Sequence, residues 1–327
     1  MSEALNEWLT DRSHEVSEGT HANDKTVLQQ FRIEFGKWLV AKVETAHLQK
    51  FMETYVSRRE TISAHPISKG AKRNLHSKLN LFFDFCELDK HYITANPMTK
   101  IRTKRQSKTP EEYEKQKDKC FFSEEMAVLL QAMSQTENSE ADLRKCLMIE
   151  FNYLNGPRIS EAMGLRWDHV YLKTQTLYIE YQFNKKSRLS EPKVKLLKTP
   201  QSIRVKPLNA RSLEILTWFK NHQPRKNSDF VFVQETGSLI SSSQINEYLK
   251  QFANYLPHKL MSSFSSHALR HSFITHEAEK GTPEYQIMAW VGHANPTMIH
   301  TLYSHARRHL ELTGKLRPQL VPIRKTA

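Results

Sequence analysis

Tyr303 stands among four histidines in the segment VGHANPTMIHTLYSHARRH, residues 291–309. A phenolic hydroxyl is a nucleophile, and histidines carry protons or hold metals. The segment is therefore open to three readings: a metal site, a histidine-studded surface helix, or one tyrosine doing chemistry with histidines arranged around it. Upstream, SSHALRHSFITHEAEKG places His267 three residues before Arg270, so on a helix the two share a face and reach the same small group. Farther upstream, NGPRISEAMGLRWDHV puts Arg158 in the first helical turn after an Asn-Gly-Pro break. Glu161, one turn on, can orient it as an i,i+3 partner.

Metal chemistry fits this pattern poorly. His267, His271, His276, His293, His300, His305 and His309 crowd together, but HEAEK after Thr275 is not HExxH, and neither cysteine nor a carboxylate at ligand spacing completes a set. Neither GxxxxGK[ST] nor GxGxxG occurs, which argues against ATP-driven and dinucleotide chemistry. No cofactor and no metal are expected.

The elements that must position these residues follow from periodicity. The chain has 327 residues, 39% of them hydrophobic, with only 9 glycines, enough for about two domains. Residues 1–98 read as helices with apolar positions at helical spacing, as in Val27, Leu28, Phe31 and Phe35. Thr20 and Thr45 are the expected N-caps, and Asn96 and Pro97 close the unit. Residues 99–119 are rich in lysine and arginine and nearly without large apolar side chains, so they read as a linker. Its first half, with Lys100, Arg102, Lys104 and Arg105, is placed to lie along phosphates.

From residue 120 the pattern is mainly α with one small antiparallel sheet. The β-branched and aromatic runs TLYIEYQF, KVKLLKT and SIRVKPL place that sheet between about 168 and 208. GTPEYQIMAWVGH reads as a helix with Thr282 as N-cap, Pro283 first inside and Gly292 as stop. His293 then sits just past a helix end, and Asn295 and Pro296 start the helix that carries Tyr303. Trp167 and Trp290 read as core.

A net charge of +13 favours a polyanionic partner such as nucleic acid or an anionic membrane. The first twenty residues are polar where a secretory leader would be apolar, and no apolar run approaches ~18 residues. Cys86, Cys120 and Cys146 fit neither a disulfide framework nor a CxxC clip, so a reduced, cytoplasmic protein is expected, without a membrane partner.

Taken together, NGPRISEAMGLRW, SSHALRHSFITH and VGHANPTMIHTLYSH resemble, in order, the TGxRxSExLxLxW, HxLRH and LGH-plus-tyrosine boxes of the tyrosine recombinases, the phage integrase family. KTPQSIRVKPL is similar to the family's β-hairpin segment KTxxSxRxVPL, which supplies a lysine. The resemblance implies that Arg158 and Arg270 clamp the scissile phosphate, that Tyr303 is the nucleophile, and that His267 and His293 support it. It makes Lys198 the catalytic lysine, although Lys193 and Lys195 share its strand.

The same resemblance implies a two-domain DNA clamp: a helical core-DNA-binding domain over residues 1–98, a basic linker over 99–119 and a catalytic domain over 120–310. The tail over 311–327, with apolar residues between prolines and bases, reads either as a segment that docks on a neighbouring protomer or as a frayed end. It further implies site-specific recombination through a 3′-phosphotyrosine and a Holliday junction, without metal or ATP. Four protomers would act on two double-stranded DNA sites, with room for an accessory DNA-bending or directionality factor, in a bacterial or phage-encoded setting. A type IB topoisomerase uses similar chemistry. A DNA-binding repressor that had lost catalysis is the third reading, against which the complete residue set argues.

Overall fold

The computed structural model describes residues 1–54, 69–101, 119–136, 139–227, 229–293, 296, 299–304 and 306. It divides into two compact units, Met1–Ser107 and Lys108–Ala327.

The first unit is built from α1 (Ser2–Glu15), α2 (Glu18–Phe35), α3 (Thr45–Thr54) and α4 (Lys69–Asp84), the last running into a π-helical turn over Phe85–Asp89. Leu28, Phe31 and Phe35 of α2 and Leu75, Leu79, Phe82 and Phe83 of α4 recur every three or four residues, so each helix carries one apolar stripe. The stripes meet in one core with Leu5, Trp8, Leu48 and Phe51. Phe31 makes tilted or edge-on contacts with Phe35, Phe51, Phe82 and Phe83. Two cap positions differ from those expected. Ser17, not Thr20, precedes α2. The Glu44 carbonyl accepts the first amides of α3, so Thr45 is already helical and its hydroxyl donates instead to the Pro97 carbonyl at 2.9 Å. A buried carboxylate ties three helices: Asp24 of α2, fully buried, lies 3.3 Å from Arg12 Nε of α1 and 2.7 Å from Lys78 Nζ of α4.

The second unit starts with α5 (Ser123–Thr136) and α6 (Glu140–Asn155), followed by the short α7 (Ile159–Met163). Then come β1 (Val170–Tyr171), β2 (Thr176–Ile179), β3 (Tyr181–Phe183), β4 (Val194–Leu196) and β5 (Arg204–Pro207). α8 (Ala210–Asn221), α9 (Ser242–Gln251), α10 (Ser266–Glu279) and α11 (Glu284–Val291) complete it, and residues 299–304 are again helical. The mainly α fold with antiparallel strands is as expected from sequence, but the strands form two small sheets where one was expected. One refinement is that TLYIEYQF is not a single strand. Leu177 and Ile179 face the core from β2, which lies between β1 and β5, and after Glu180 the chain crosses to β3, which pairs only with β4.

α6 and α10 run through the centre and are buried on nearly all sides. Pro283, not Thr282, is the N-cap of α11. The Thr282 hydroxyl is engaged elsewhere, donating to Glu277 Oε2 at 2.8 Å, while the Pro283 carbonyl accepts the Gln286 and Ile287 amides. Trp167 and Trp290, expected in the core, are only partly buried at the margins of two apolar clusters. Among the described residues no helix is long and apolar enough to cross a membrane.

Removing Asp24 leaves two cations facing one another around a buried site. Asp24→Ala is expected to cost about 3 kcal/mol, read from hydrogen exchange of α1 and α2 in urea; unchanged protection there would contradict the three-helix tie.

Candidate active site

The site begins where α6 stops. Gly156 adopts a left-handed conformation, φ 64°, and a Cβ there would lie 2.3 Å from Phe273 Cδ1, so the turn needs glycine on two counts. The chain re-enters a helix at once, with Arg158 as the N-cap of α7 rather than inside its first turn. Glu161 is the third residue of that helix. Its Oε2 accepts the Arg158 amide at 2.9 Å and its Oε1 the Arg158 guanidinium at 2.6 Å. One carboxylate thus caps the helix and holds the side chain of its N-cap residue.

Glu161 is only 2% exposed and also receives Arg204 from β5, Nη2 to Oε2 at 2.7 Å. Burial alone would raise its carboxyl, but Arg204, Arg270 and Arg158 together more than offset that and hold it below the ordinary glutamate value. The three guanidiniums then reach one short stretch of backbone. Arg204 Nε donates to the Trp290 carbonyl at 2.7 Å, Arg270 Nη2 to Val291 at 2.5 Å, and Arg158 Nη2 to Gly292 at 3.4 Å. These carbonyls end α11, where the helix dipole is negative and cations are favoured. Gly292 turns left-handed there, φ 64°, and a Cβ would sit 3.1 Å from Arg204 Nη1, so the turn is also closed to larger residues. The other end of Arg270 is fixed by Nη1 donating to the Gly156 carbonyl at 2.8 Å. Arg270 is 1% exposed, and burial lowers its pKa while Glu161 opposes the shift.

His293 follows this turn directly. Burial first, then the charges of Arg270, Arg158 and Arg204, push its ring down to about 4, so it is neutral near pH 7. His267 lies exposed in the first turn of α10, one turn before Arg270, and is shifted down by partial desolvation and by Arg270 and Arg158. Its ring meets that of His271 edge-on at 4.5 Å. Tyr303 is half-buried against a cluster that includes Phe273, which neighbours Arg270 by three positions, and Val291, whose carbonyl Arg270 holds.

Arg158, Arg270 and His293 are therefore brought together around one turn, with His267 within their field. Lys198 is exposed in the connection between β4 and β5, with Lys195 on β4 and Lys193 just before it, both exposed as well. Lys100 is exposed in a turn of the first unit, whereas Arg102, Lys104 and Arg105, like Asn295, His305, His309 and the tail, lie outside the described residues. His300 makes a 3.4 Å contact with Glu284 at the surface. Sequence reasoning gave Arg204 no role in the site, although it stands at the arginine of the KTxxSxRxVPL segment that KTPQSIRVKPL resembles.

Residues 121–309 match the family model described as the phage integrase family. The chain is 27% identical over 244 residues to a probable integrase of prophage ps2 of Lactococcus lactis, across 72% of this chain and 63% of the relative's length. It is 27% identical over 239 residues to the tyrosine recombinase XerC of Listeria innocua, across 72% of each. Its fold is similar to that of the Tn1549 transposon integrase, solved in complex with a circular intermediate DNA, with a TM-score of 0.72 at 16% identity over 95% of this chain and 98% of that one.

Two outcomes follow from the geometry. Glu161→Gln keeps the shape but removes the counter-charge of three guanidiniums, and is expected to lower unfolding free energy by about 3 kcal/mol; a urea midpoint equal to wild type would contradict this. The His293 ring is expected to titrate by NMR with a midpoint at about 4 in the DNA-free protein, below its ordinary 6.5. Because the folded state resists this protonation, its share of stability is complete above pH 6.5 and is lost as pH falls toward 4. A midpoint near 6.5 would place the ring away from the arginines.

Proposed function

The chain belongs to the phage integrase family, and on that premise we propose that it is a site-specific DNA recombinase that cuts and rejoins strands through a 3′-phosphotyrosine at Tyr303. The observation that carries this reading is the pair Arg158 and Arg270, both donating to carbonyls at the end of α11 and both within the field of one buried carboxylate.

A guanidinium has five N–H donors, and the bonds to Gly156 and Val291 use only part of Arg270's set, leaving donors for two non-bridging phosphate oxygens. The phenolic oxygen of Tyr303 attacks phosphorus, a P–O bond forms to the tyrosine, and the bond to the 5′ oxygen breaks. The departing alkoxide needs a proton, a role for Lys198, whose exposed loop position suits an approach to bound DNA. Neutral His267 and His293 accept the tyrosine proton or donate a hydrogen bond to a phosphate oxygen. The phosphotyrosine retains the bond energy, so a 5′ hydroxyl from the partner duplex reverses the step without ATP.

Residues 1–98 serve in this reading as a core-DNA-binding domain, 99–119 as a basic linker with Lys100, Arg102, Lys104 and Arg105 on phosphates, 120–310 as the catalytic domain, and 311–327 as a segment docking on a neighbouring protomer. Four copies act on two double-stranded sites in the cytoplasm, with an accessory factor setting direction. The net charge of +13 supports a DNA partner.

Nicked duplex carrying the recombination site, recovered from random-sequence DNA by binding, is expected to give a denaturant-resistant protein–DNA adduct without divalent metal or ATP. Tyr303→Phe abolishes it. An adduct undiminished in that variant, or one that requires metal, overturns the mechanism.

A further inference from the structure

Lys206 has no part in the reaction described above, and its position calls for one. It lies on β5, 5% exposed, with its ammonium 3.2 Å from Asn155 Oδ1 and 3.5 Å from the Leu154 carbonyl, at the end of α6. The same ammonium lies 4.8 Å from the centre of the Phe273 ring on α10 and 5.4 Å from that of Trp290 on α11. One cation therefore touches three helices through a hydrogen-bonding side chain and two aromatic faces.

The residues it touches stand next to those that fix Arg270. Asn155 precedes Gly156, whose carbonyl accepts Arg270 Nη1 at 2.8 Å. Trp290 precedes Val291, whose carbonyl accepts Arg270 Nη2 at 2.5 Å. Phe273 fills the space where a Cβ of Gly156 would be. We infer that Lys206 is a positioning residue for Arg270: from behind, its ammonium ties together the two backbone segments whose carbonyls set that guanidinium. The inference rests on the recombinase reading only for what Arg270 does.

A space-filling role is a poor account of this lysine. Among the described residues it has no carboxylate at ion-pair distance, and a buried ammonium without such a partner costs stability that methionine or leucine would not. The charged groups that face it are Glu277 of α10, Lys280 just after that helix and Arg204 of its own strand, while α6 and α11 present only Asn155, the Leu154 carbonyl and the Trp290 ring. Burial lowers the ammonium from 10.5 to about 8, with Glu277 opposing and Lys280 and Arg204 adding to the shift. Asn155 and Lys206 also both depart from the boxes they otherwise match, which have threonine and valine at these places, and the two departures face one another.

The test compares full-length wild type with Lys206→Met and Lys206→Arg. Folding disfavours the charged lysine, so its penalty is complete below pH 8 and fades as pH rises from about 8 to 10.5. Lys206→Met is accordingly expected to raise Tm at pH 7 by ~5 °C, with the gain disappearing toward pH 10.5. It is also expected to weaken inorganic phosphate binding, measured by calorimetry at pH 7, about tenfold, a loss of about 1.4 kcal/mol. Adduct formation on the nicked duplex should fall by a similar factor. The wild-type rate should step down as pH rises through about 8, a step absent in Lys206→Met and moved to higher pH in Lys206→Arg. A lower Tm in Lys206→Met, unchanged phosphate affinity, or an alkaline step shared by all three proteins overturns the positioning role. If wild type forms no adduct at all, the recombinase reading fails, and the Tm and phosphate measurements still decide for or against Lys206.

Discussion

A buried carboxylate surrounded by cations governs the C-terminal unit. Glu161 has no exposed side-chain surface and bonds Arg158 and Arg204 directly, within the field of Arg270. Removing a carboxylate from water is costly unless its charge is matched and its lone pairs are filled. Here both conditions are met, and the match determines much else: where α7 begins, how Arg158 is held, and where β5 must lie for Arg204 to arrive. The arginines in turn need acceptors for their remaining donors, and the open carbonyls at the end of α11 supply them. Each component satisfies the desolvated polar groups of another.

That dependence explains why a side chain would be strained at two glycines. Gly156 and Gly292 both turn left-handed at helix ends, and both present a carbonyl to a guanidinium. A side chain at Gly156 would collide with Phe273, and one at Gly292 would crowd Arg204. The turns are the points at which backbone geometry, rather than side-chain choice, sets the spacing of Arg158 and Arg270. Preorganised donors of this kind need no rearrangement when charge develops on a substrate.

Much of this was legible in the sequence because local rules govern it. Helical periodicity gave Leu28, Phe31 and Phe35 their buried stripe, and the i,i+3 spacing of Arg158 and Glu161 correctly paired them. Tertiary competition decided the rest. Thr45 and Thr282 had the right chemistry for capping, but the Thr45 hydroxyl found Pro97 across the fold and the Thr282 hydroxyl turned back to Glu277, five residues earlier. Arg204 was overlooked because its partners, Glu161 and Trp290, are 43 and 86 residues away. Lys206 stands where the segment it resembles has valine, but a lysine on a short strand ordinarily points to solvent, and its burial was not anticipated.

The charge balance of the cluster fits the chemistry proposed for it. Three guanidiniums less one carboxylate leave a surplus of two positive charges, and the histidines add none near pH 7, because the same arginines and burial keep His293 neutral. A phosphodiester carries one negative charge, and the five-coordinate species formed on attack by a phenolate carries about two. In the proposed reaction such a surplus favours the more highly charged transition state over the ground state, the condition for rate acceleration rather than tight binding. Without Glu161 the surplus would be three, with stronger repulsion among the guanidiniums and no partner to hold Arg158 in place. The carboxylate looks misplaced at a site for an anion, yet it is what allows three cations to stay fixed and close together before any phosphate arrives.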